Sequence, residues 1–247
     1  VGSHGEHHRR DLFGTAEDPE YQDIGRWSLA ETLFSVVPLL FVPPLLVLRW
    51  GLLGPLSYLV PPLRPLVVGY LSTLVINPAY KRRMPEGRMA RRWAVQEACT
   101  AAVCWGIALA VWRGVLGTAW LVDWSLVMSS ILVLNHVRTL VAHRYENDGR
   151  TLDLVAQYHD SVNISGGLLD LLMAPVGLRF HALHHLLPSV PYHSLGAIHR
   201  AMVPALPTTS PYRESEFPTM AAALRSQFGG RKLWKRRGDQ ASPNREG

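Results

Sequence analysis

Two apolar runs, residues 93–112 and about 120–140, constrain this chain more than any other feature of its sequence. Each has about 20 residues, and a helix of that length, at about 1.5 Å per residue, matches the hydrocarbon core of a bilayer. Tryptophan favours membrane interfaces, and Trp112, Trp120 and Trp124 cluster at the connection between the runs. The pattern predicts a transmembrane helix hairpin.

Basic residues are distributed unevenly around these two runs. Only Arg113 is strongly basic between them, whereas both outer flanks are rich in Lys and Arg. The flanking residues are Lys81, Arg82, Arg83, Arg88, Arg91 and Arg92 before the first run, and Arg138, Arg144 and Arg150 after the second. By the positive-inside rule, both flanks are predicted to be cytoplasmic. The formal net charge of +6 is therefore attributed to membrane topology, and nucleic-acid binding is not expected.

The stretch 28–78 is apolar as well, but it is broken by many of the chain's 18 prolines and contains Arg49 and Arg64. Residues 31–50 approach the length of a membrane span. Proline removes a backbone donor and disrupts a helix interior, so a straight span is disfavoured. We expect short helices that lie on the cytoplasmic leaflet or dip into it. The overall expectation is an all-α integral membrane protein.

Two histidine pentads with the spacing H-x-x-H-H stand near opposite ends of the chain, at residues 4–8 and 181–185. On a helix, positions i, i+3 and i+4 share one face, so the three imidazoles of a pentad can converge on one centre. The candidate ligands are His4, His7, His8, His181, His184 and His185. Imidazole suits iron, zinc, copper and nickel, so this residue type alone does not select the metal.

The second apolar run becomes polar towards its end, where Asn135, His136, Arg138, Thr139 and His143 occur. A simple membrane anchor does not require histidines there, so we expect this helix to continue beyond the bilayer and to present His143 to the metal site. If both pentads reach one site, an even number of membrane crossings separates them. Two crossings fit, and four fit if the proline-rich region forms a hairpin.

The residues around both pentads resemble the membrane fatty acid desaturases, a family with three histidine boxes around a two-iron centre. The first pentad is followed by a G-T-x-x-D-P-E-Y run, and the second continues as H-H-L-x-P-x-x-P-Y. The matching residues are Gly14, Thr15, Asp18, Pro19, Glu20, Tyr21, His184, His185, Leu186, Pro188, Pro191 and Tyr192. The resemblance spans roughly residues 4 to 200, and the family's first box, of H-x-x-x-H type, is absent.

The resemblance implies two iron ions, dioxygen as co-substrate and the formation of a cis double bond in a fatty acyl chain. It also implies His143 as a seventh ligand, because the family uses a histidine at the cytoplasmic end of this helix. Thr139 stands where some relatives have an asparagine that holds an iron-bound water. Since dioxygen reduction requires electrons and no redox domain is visible, a ferredoxin, rubredoxin or cytochrome b5 type donor is expected.

Further residues are candidates for supporting the metal ligands through hydrogen bonds, because metal-bound imidazoles usually donate their second N–H to an acceptor. These candidates are Thr139, His136, His193, Asp18 and Asp160. His159 and His199 are isolated in the sequence, and structural roles are expected for them. Cys99 and Cys104 lie within the first apolar run, where packing is the expected role.

Three functional hypotheses follow: an acyl-lipid desaturase, which is favoured; a hydroxylase or ketolase of the same superfamily acting on a fatty acid, sterol or carotenoid; and an inactive membrane fragment. A zinc hydrolase is disfavoured, because neither pentad has the H-E-x-x-H arrangement. The chain begins with Val directly before a histidine box, so we expect it to be the C-terminal part of a longer protein.

The expected organisation follows the chain in five parts. These are a cytoplasmic segment with a histidine box (1–26), proline-rich membrane-associated helices with a basic loop (27–92), the transmembrane hairpin (93–142), a cytoplasmic cap (143–228) and a disordered basic tail (229–247).

Overall fold

The computed structural model describes residues 3–147 and 149–227, and these residues are overwhelmingly helical. The α-helices are α1 Ser3–His7, α2 Leu29–Phe34, α3 Val42–Leu48, α4 Gly54–Leu59, α5 Arg64–Leu71, α6 Gly87–Trp112, α7 Thr118–Leu140, α8 Leu154–Asp160, α9 Leu168–Met173, α10 His181–Leu186, α11 Tyr192–Met202 and α12 Pro211–Glu214. Two short strands, β1 Asn163–Ile164 and β2 Glu216–Phe217, pair in parallel. The predicted all-α class is confirmed. The predicted basic tail, 229–247, lies outside the described residues.

Three helical stretches are long and apolar enough to cross a membrane: Val42–Leu59, Gly87–Trp112 and Thr118–Leu140. The last two are α6 and α7, the two helices that the apolar runs predicted. Most of their side chains point outwards, as expected for helices whose surroundings are lipid rather than water. The chain is therefore an integral membrane protein.

The proline-rich region differs from the sequence-based expectation. It does form short helices, but α3, the π-helical turn Arg49–Leu53 and α4 follow one another without interruption from Val42 to Leu59. Pro43 lies in the first turn of α3, where its missing N–H has no intrahelical partner to lose. The wider π-turn precedes Pro55, and its Gly51 carbonyl accepts a hydrogen bond from the Trp105 indole at 3.0 Å.

Buried charges also explain how polar residues are accommodated in this apolar region. Glu97 of α6 accepts a hydrogen bond from Arg49 Nη2 at 2.8 Å and pairs with Arg64 Nη1 at 2.7 Å. The Tyr58 hydroxyl donates to the same carboxylate at 2.7 Å. Charged side chains in a membrane segment are costly unless they are paired. Here the two arginines of the proline-rich region are compensated by a carboxylate distant in sequence.

Helix α7 ends earlier than expected, which corrects the prediction that it extends to His143. The helix ends at Leu140, and the N–H groups of Val141 and Ala142 bond to carbonyls three residues back, which tightens and closes the last turn. His143 then forms an antiparallel bridge with Ser161. His143 is thus delivered by a turn and a backbone bridge rather than by the helix itself.

The chain divides into two compact units, one comprising residues 1–15, 21–32 and 134–247, and the other residues 16–20 and 33–133. Both pentads and His143 belong to the first unit. Its core packs Tyr158, Phe180, Leu183, Leu195 and Tyr212 together. The five-part division expected from the sequence remains a prediction, as does the even number of crossings between the pentads.

Candidate metal centre

All seven histidines predicted as metal ligands lie in two groups within the first unit. His7, His143, His181 and His185 form one group, whose four members are all buried. His4, His8 and His184 form the other, in which His4 is exposed and His8 half-buried. Within each group the candidate ligand nitrogens all lie within 4.8 Å of one another. We call these the buried group and the open group.

The second pentad forms helix α10, as its spacing predicted, and all of residues 181–185 are buried. Two backbone hydrogen bonds hold the start of this helix. The Leu183 N–H donates to the Asn163 side-chain oxygen at 3.0 Å, and the Ala182 N–H donates to the Val162 carbonyl at 3.2 Å. The strand β1 and its neighbour therefore fix the helix that carries three of the seven imidazoles.

The first pentad begins on helix α1, and His8 follows directly after the helix with its N–H bonded to the His4 carbonyl at 3.3 Å. The first pentad contributes one imidazole, His7, to the buried group and two, His4 and His8, to the open group. Helix α10 divides the other way, with His181 and His185 in the buried group and His184 in the open group. Each pentad thus supplies both groups.

The open group forms a triangle of Nε2 atoms that hydrogen bonds alone cannot satisfy. The Nε2 of His4 lies 3.0 Å from that of His184 and 3.3 Å from that of His8, and the His8 and His184 atoms are 2.9 Å apart. In a neutral imidazole each ring nitrogen is either a donor or an acceptor. With three Nε2 atoms, at least two must both be donors or both be acceptors, and such a pair cannot form a hydrogen bond. A cation at the centre removes this conflict, because all three atoms can then offer lone pairs.

The buried group shows the same close approach of Nε2 atoms. His181 Nε2 lies 2.9 Å from that of His143 and 3.1 Å from that of His185. Four imidazoles without a carboxylate among them are a donor set that suits transition metals such as iron, copper and zinc rather than magnesium or calcium. The residues present therefore fit a pair of transition-metal ions, one in each group.

Burial keeps these imidazoles in the neutral state that metal binding requires. Burial, and then the nearby His184, lowers the pKa of His8 to about 3. Burial, together with the neighbouring histidines of the group, lowers the pKa of His181 and of His185 well below the usual value. At neutral pH these rings are uncharged, and each has a lone pair available.

Hydrogen bonds determine which nitrogen of His143 faces the buried group. The Ser161 hydroxyl donates its only proton to the Gln157 carbonyl at 2.8 Å, so its 3.2 Å contact with His143 Nδ1 requires Nδ1–H as the donor. The proton therefore lies on Nδ1, and Nε2 offers its lone pair towards His181. Ser161 acts as the kind of supporting acceptor that metal-bound imidazoles usually have.

Asp160, one of the predicted supporting residues, lies next to the same ring. Its Oδ2 is 3.3 Å from His143 Nδ1, a close electrostatic contact rather than a hydrogen bond, since Nδ1–H is directed to Ser161. The Tyr21 hydroxyl donates to Asp160 Oδ1 at 3.3 Å, and burial raises the pKa of Tyr21. Tyr21, from the G-T-x-x-D-P-E-Y run, thus keeps its proton and helps to orient this carboxylate.

Aromatic side chains that were not predicted from the sequence pack against one side of the buried group. Phe13 is 0% exposed, and its ring centroid lies 4.9 Å from His7, 5.3 Å from His185 and 5.4 Å from His143. Tyr145 lies 5.5 Å from His143. The available signal was the position of Phe13 between the first pentad and the Gly14 turn. This apolar wall excludes water from one side of the imidazoles.

Three other predicted supporting residues, Thr139, His136 and Asp18, lie in α7 or in the second unit. The Thr139 hydroxyl donates to the Asn135 carbonyl within α7 at 3.0 Å, and the Thr139 carbonyl accepts from the Tyr145 hydroxyl at 2.6 Å. His136 is half-buried within α7. Asp18 belongs to the second unit, where its carboxylate accepts the Glu20 N–H at 2.9 Å. A supporting role for these three residues remains a prediction.

His193, the last predicted supporting residue, is exposed at the start of α11, whereas its neighbour Tyr192 contacts the open group. The Tyr192 ring stacks on His184 at 4.6 Å, and its hydroxyl lies 3.5 Å from His4 Nε2. The isolated His199 is buried apart from both groups, between Tyr212 at 2.8 Å and Glu216 at 3.2 Å. Because its ring nitrogens contact Tyr212 and Glu216 rather than other histidines, this placement agrees with a structural role for His199.

The helices and the two imidazole groups define a class: an integral membrane protein with a histidine-rich site suited to a pair of transition metals. The sequence profile of the fatty acid desaturase family matches residues 1–216. The chain belongs to this family.

The chain is also similar to a protein of known activity. The chain is 38% identical over 228 residues to a protein named ceramide hydroxylase from Caulobacter vibrioides (strain NA1000 / CB15N). The aligned region covers 92% of this chain and 65% of the relative, so the chain spans less than two thirds of the relative's length. No solved structure matches the chain.

Proposed function

We propose that the protein oxidises an unactivated C–H bond in the acyl chain of a membrane lipid, using dioxygen at a pair of iron ions. The proposed ligands are the seven imidazoles of the buried and open groups: His4, His7, His8, His143, His181, His184 and His185. The observation that carries the proposal is the convergence of these imidazoles, from three distant segments, into two adjacent metal-sized groups. The family match supports iron as the metal.

The residues of the chain contribute position and protonation state to this chemistry. When bound, two irons supply the activation of dioxygen with electrons from an external donor. Burial keeps His181 and His185 uncharged, Ser161 fixes the His143 ring with its Nε2 inward, and Phe13 excludes water. A site that is already arranged needs little reorganisation during the reaction.

We propose hydroxylation of a ceramide-type lipid as the reaction, because the aligned relative is named a ceramide hydroxylase and the alignment covers almost the whole of this chain. In this reaction one oxygen atom of dioxygen converts a C–H bond into C–OH. The other oxygen atom takes up two electrons and two protons and leaves as water. Desaturation is the second candidate, favoured by the family match. It removes hydrogen from two adjacent carbons and yields two water molecules.

The test is to express the full-length gene in a host that makes ceramides and to analyse the lipids by mass spectrometry under isotopically labelled dioxygen. Hydroxylation adds one labelled oxygen atom to the lipid, whereas desaturation removes two hydrogens and adds no label. Either product should disappear with His181→Ala and persist with His199→Ala, since His199 lies outside both groups. Unchanged lipids with the native full-length gene would contradict both candidate reactions. Activity of the full-length gene that the 247-residue chain lacks would support the inactive-fragment hypothesis.

We further propose that the site faces the cytoplasm and receives electrons from a separate ferredoxin, rubredoxin or cytochrome b5 type protein. The basic flanks of α6 and α7 support both parts of this proposal. An acidic donor would be steered by these charges, so turnover should slow as salt is raised at limiting donor concentration. A rate that is independent of salt would contradict this docking arrangement.

A further inference from the structure

A segment directly before helix α10 has an unusual distribution of apolar side chains. We call residues 166–178, which include α9, the leucine loop. Its exposed fractions are 72% for Leu168, 67% for Leu169, 62% for Leu172 and 62% for Val176. Water-facing helices normally present polar residues, whereas this one presents large apolar groups on its outer side.

The single charged residue of the leucine loop points inwards. Asp170 is buried, and its Oδ1 accepts the backbone N–H of Met220 at 2.9 Å. Gly166 packs so closely that a side chain there would collide with the Asp170 carboxylate and the Pro218 carbonyl. The rotation of α9 is therefore fixed by an internal polar contact, and the leucines are held outwards.

The two ends of the leucine loop are joined at a narrow neck. Arg179 Nη1 donates to the Gly166 carbonyl at 2.8 Å, and the Ile164 N–H donates to the Arg179 carbonyl at 2.8 Å. Val176 has a φ of 56°, a left-handed conformation that is rare for a β-branched residue. Such strain persists only where the surrounding structure enforces it. The leucine loop is thus a closed, constrained projection.

We propose that the leucine loop inserts its apolar side chains into the bilayer, with acyl lipid as its partner. The protein is an integral membrane protein, and the exposure of these residues matches that of apolar residues on its candidate spans, such as Leu126 at 62%. A protein partner would require polar groups around an apolar centre, and the loop presents no charged side chain. Arg179 at the neck is suited to the phosphate of a lipid headgroup.

The loop is also connected to the open group of histidines. Gly177 has a φ of 86°, and a side chain there would collide with the Tyr192 carbonyl. The Tyr192 ring in turn stacks on His184. Anchoring the loop in lipid would therefore hold the open group at a fixed distance from the membrane surface, where acyl chains are presented. This functional consequence depends on the proposed reaction, whereas lipid insertion does not.

The direct test uses a fluorescent label in the full-length protein, reconstituted in phospholipid nanodiscs. Cys99 and Cys104 are replaced by alanine, and an environment-sensitive dye is attached at Leu172→Cys or, as the matched control, at Ala201→Cys on exposed helix α11. We expect lipids with a quencher on the acyl chain to quench the dye at position 172 several-fold more than at 201. Aqueous iodide should show the opposite preference.

Two results would overturn the lipid assignment. Iodide quenching at position 172 equal to that at 201 would place the loop in water. Protection from both quenchers would indicate that a second copy or another protein covers it.

Steady-state kinetics test whether lipid anchoring of the leucine loop assists the proposed reaction. Leu168→Ser combined with Leu172→Ser should raise KM for bilayer-presented substrate about tenfold, with kcat and bound metal unchanged. An unchanged KM would overturn the proposed link between the leucine loop and the site. Lipid insertion of the loop would then be decided by the quenching experiment alone. Absence of turnover in the native protein would refute the proposed function alone.

Discussion

The two imidazole groups differ in their surroundings although they share the same helices. In the buried group, Ser161 and Asp160 contact His143, and Phe13 packs against three of the rings. The open group has Tyr192 stacked on His184 and one exposed member, His4. The comparison shows that the buried group is the more enclosed of the two, whereas the open group is accessible from outside at His4.

The largest effect should come from removing a ligand, and the two groups should respond differently. His181→Ala is expected to abolish turnover and to release metal from both groups, because His181 is buried within α10 and a cavity there would also displace His184 of the open group. His4→Ala should also abolish turnover but retain the metal of the buried group. Metal analysis of the purified full-length variants checks this, with His199→Ala as the unaffected control. Equal metal loss in His4→Ala and His181→Ala would remove the distinction between the groups.

The next largest effect should come from the residues that support His143. Asp160→Asn combined with Ser161→Ala should weaken metal binding about 10- to 100-fold, because the His143 ring loses its fixed orientation. Asp153→Asn is the matched control, since Asp153 caps α8 at the Ala156 N–H and asparagine caps equally well. Competition with a metal chelator measures the change. Equal affinity in the two variants would show that the supporting contacts do not tune the site.

The residues behind these two predictions differ in whether the sequence alone could identify them. The ligands could be predicted because each pentad concentrates three of them within five residues. Phe13, Ser161 and Tyr145 could not, since they touch the imidazoles only after the chain folds and no spacing rule links them. Asp160 was among the candidates, but only its 3.3 Å contact with His143 distinguishes it from the other carboxylates.

Some features of the fold were likewise predictable from the sequence, and others were not. The existence and position of α6 and α7 followed from the apolar runs and from bilayer thickness, although α6 begins at Gly87, six residues before the predicted run. The continuous stretch Val42–Leu59 was not predicted, because its prolines disfavoured a straight span. The partner of its buried Arg49, Glu97, lies 48 residues away. The early end of α7 at Leu140 was missed because the backbone bridge between His143 and Ser161 leaves no signal in the local sequence.

A moderate effect should appear when the metal-free protein is acidified. The pKa of His8 is lowered to about 3, and those of His181 and His185 are lowered well below 6.5. The unfolded chain then binds more protons than the folded one below pH 6.5, so the folded state loses stability as pH falls through 6.5 towards 3. Thermal unfolding in detergent checks this, and His8→Gln should reduce the slope. A pH-independent midpoint would contradict neutral imidazoles in the folded protein.

The smallest effect should come from the edge of the open group. Tyr192→Phe removes a long 3.5 Å contact with His4 but keeps the ring on His184, so turnover should change no more than about twofold. Tyr192→Ala removes the stacking as well and should have a clearly larger effect. Steady-state kinetics of the two variants separates hydroxyl from ring. A larger loss in Tyr192→Phe would give the hydroxyl a role in the reaction.

The most direct test of the central claim is the metal content of the purified full-length protein, measured together with the spectroscopic signature of the metal. The two groups predict two irons per chain, all ligated by imidazole nitrogen, with one site lost in His4→Ala. A single metal per chain, or zinc alone in a protein that still oxidises lipid, would contradict the assignment of two redox-active groups.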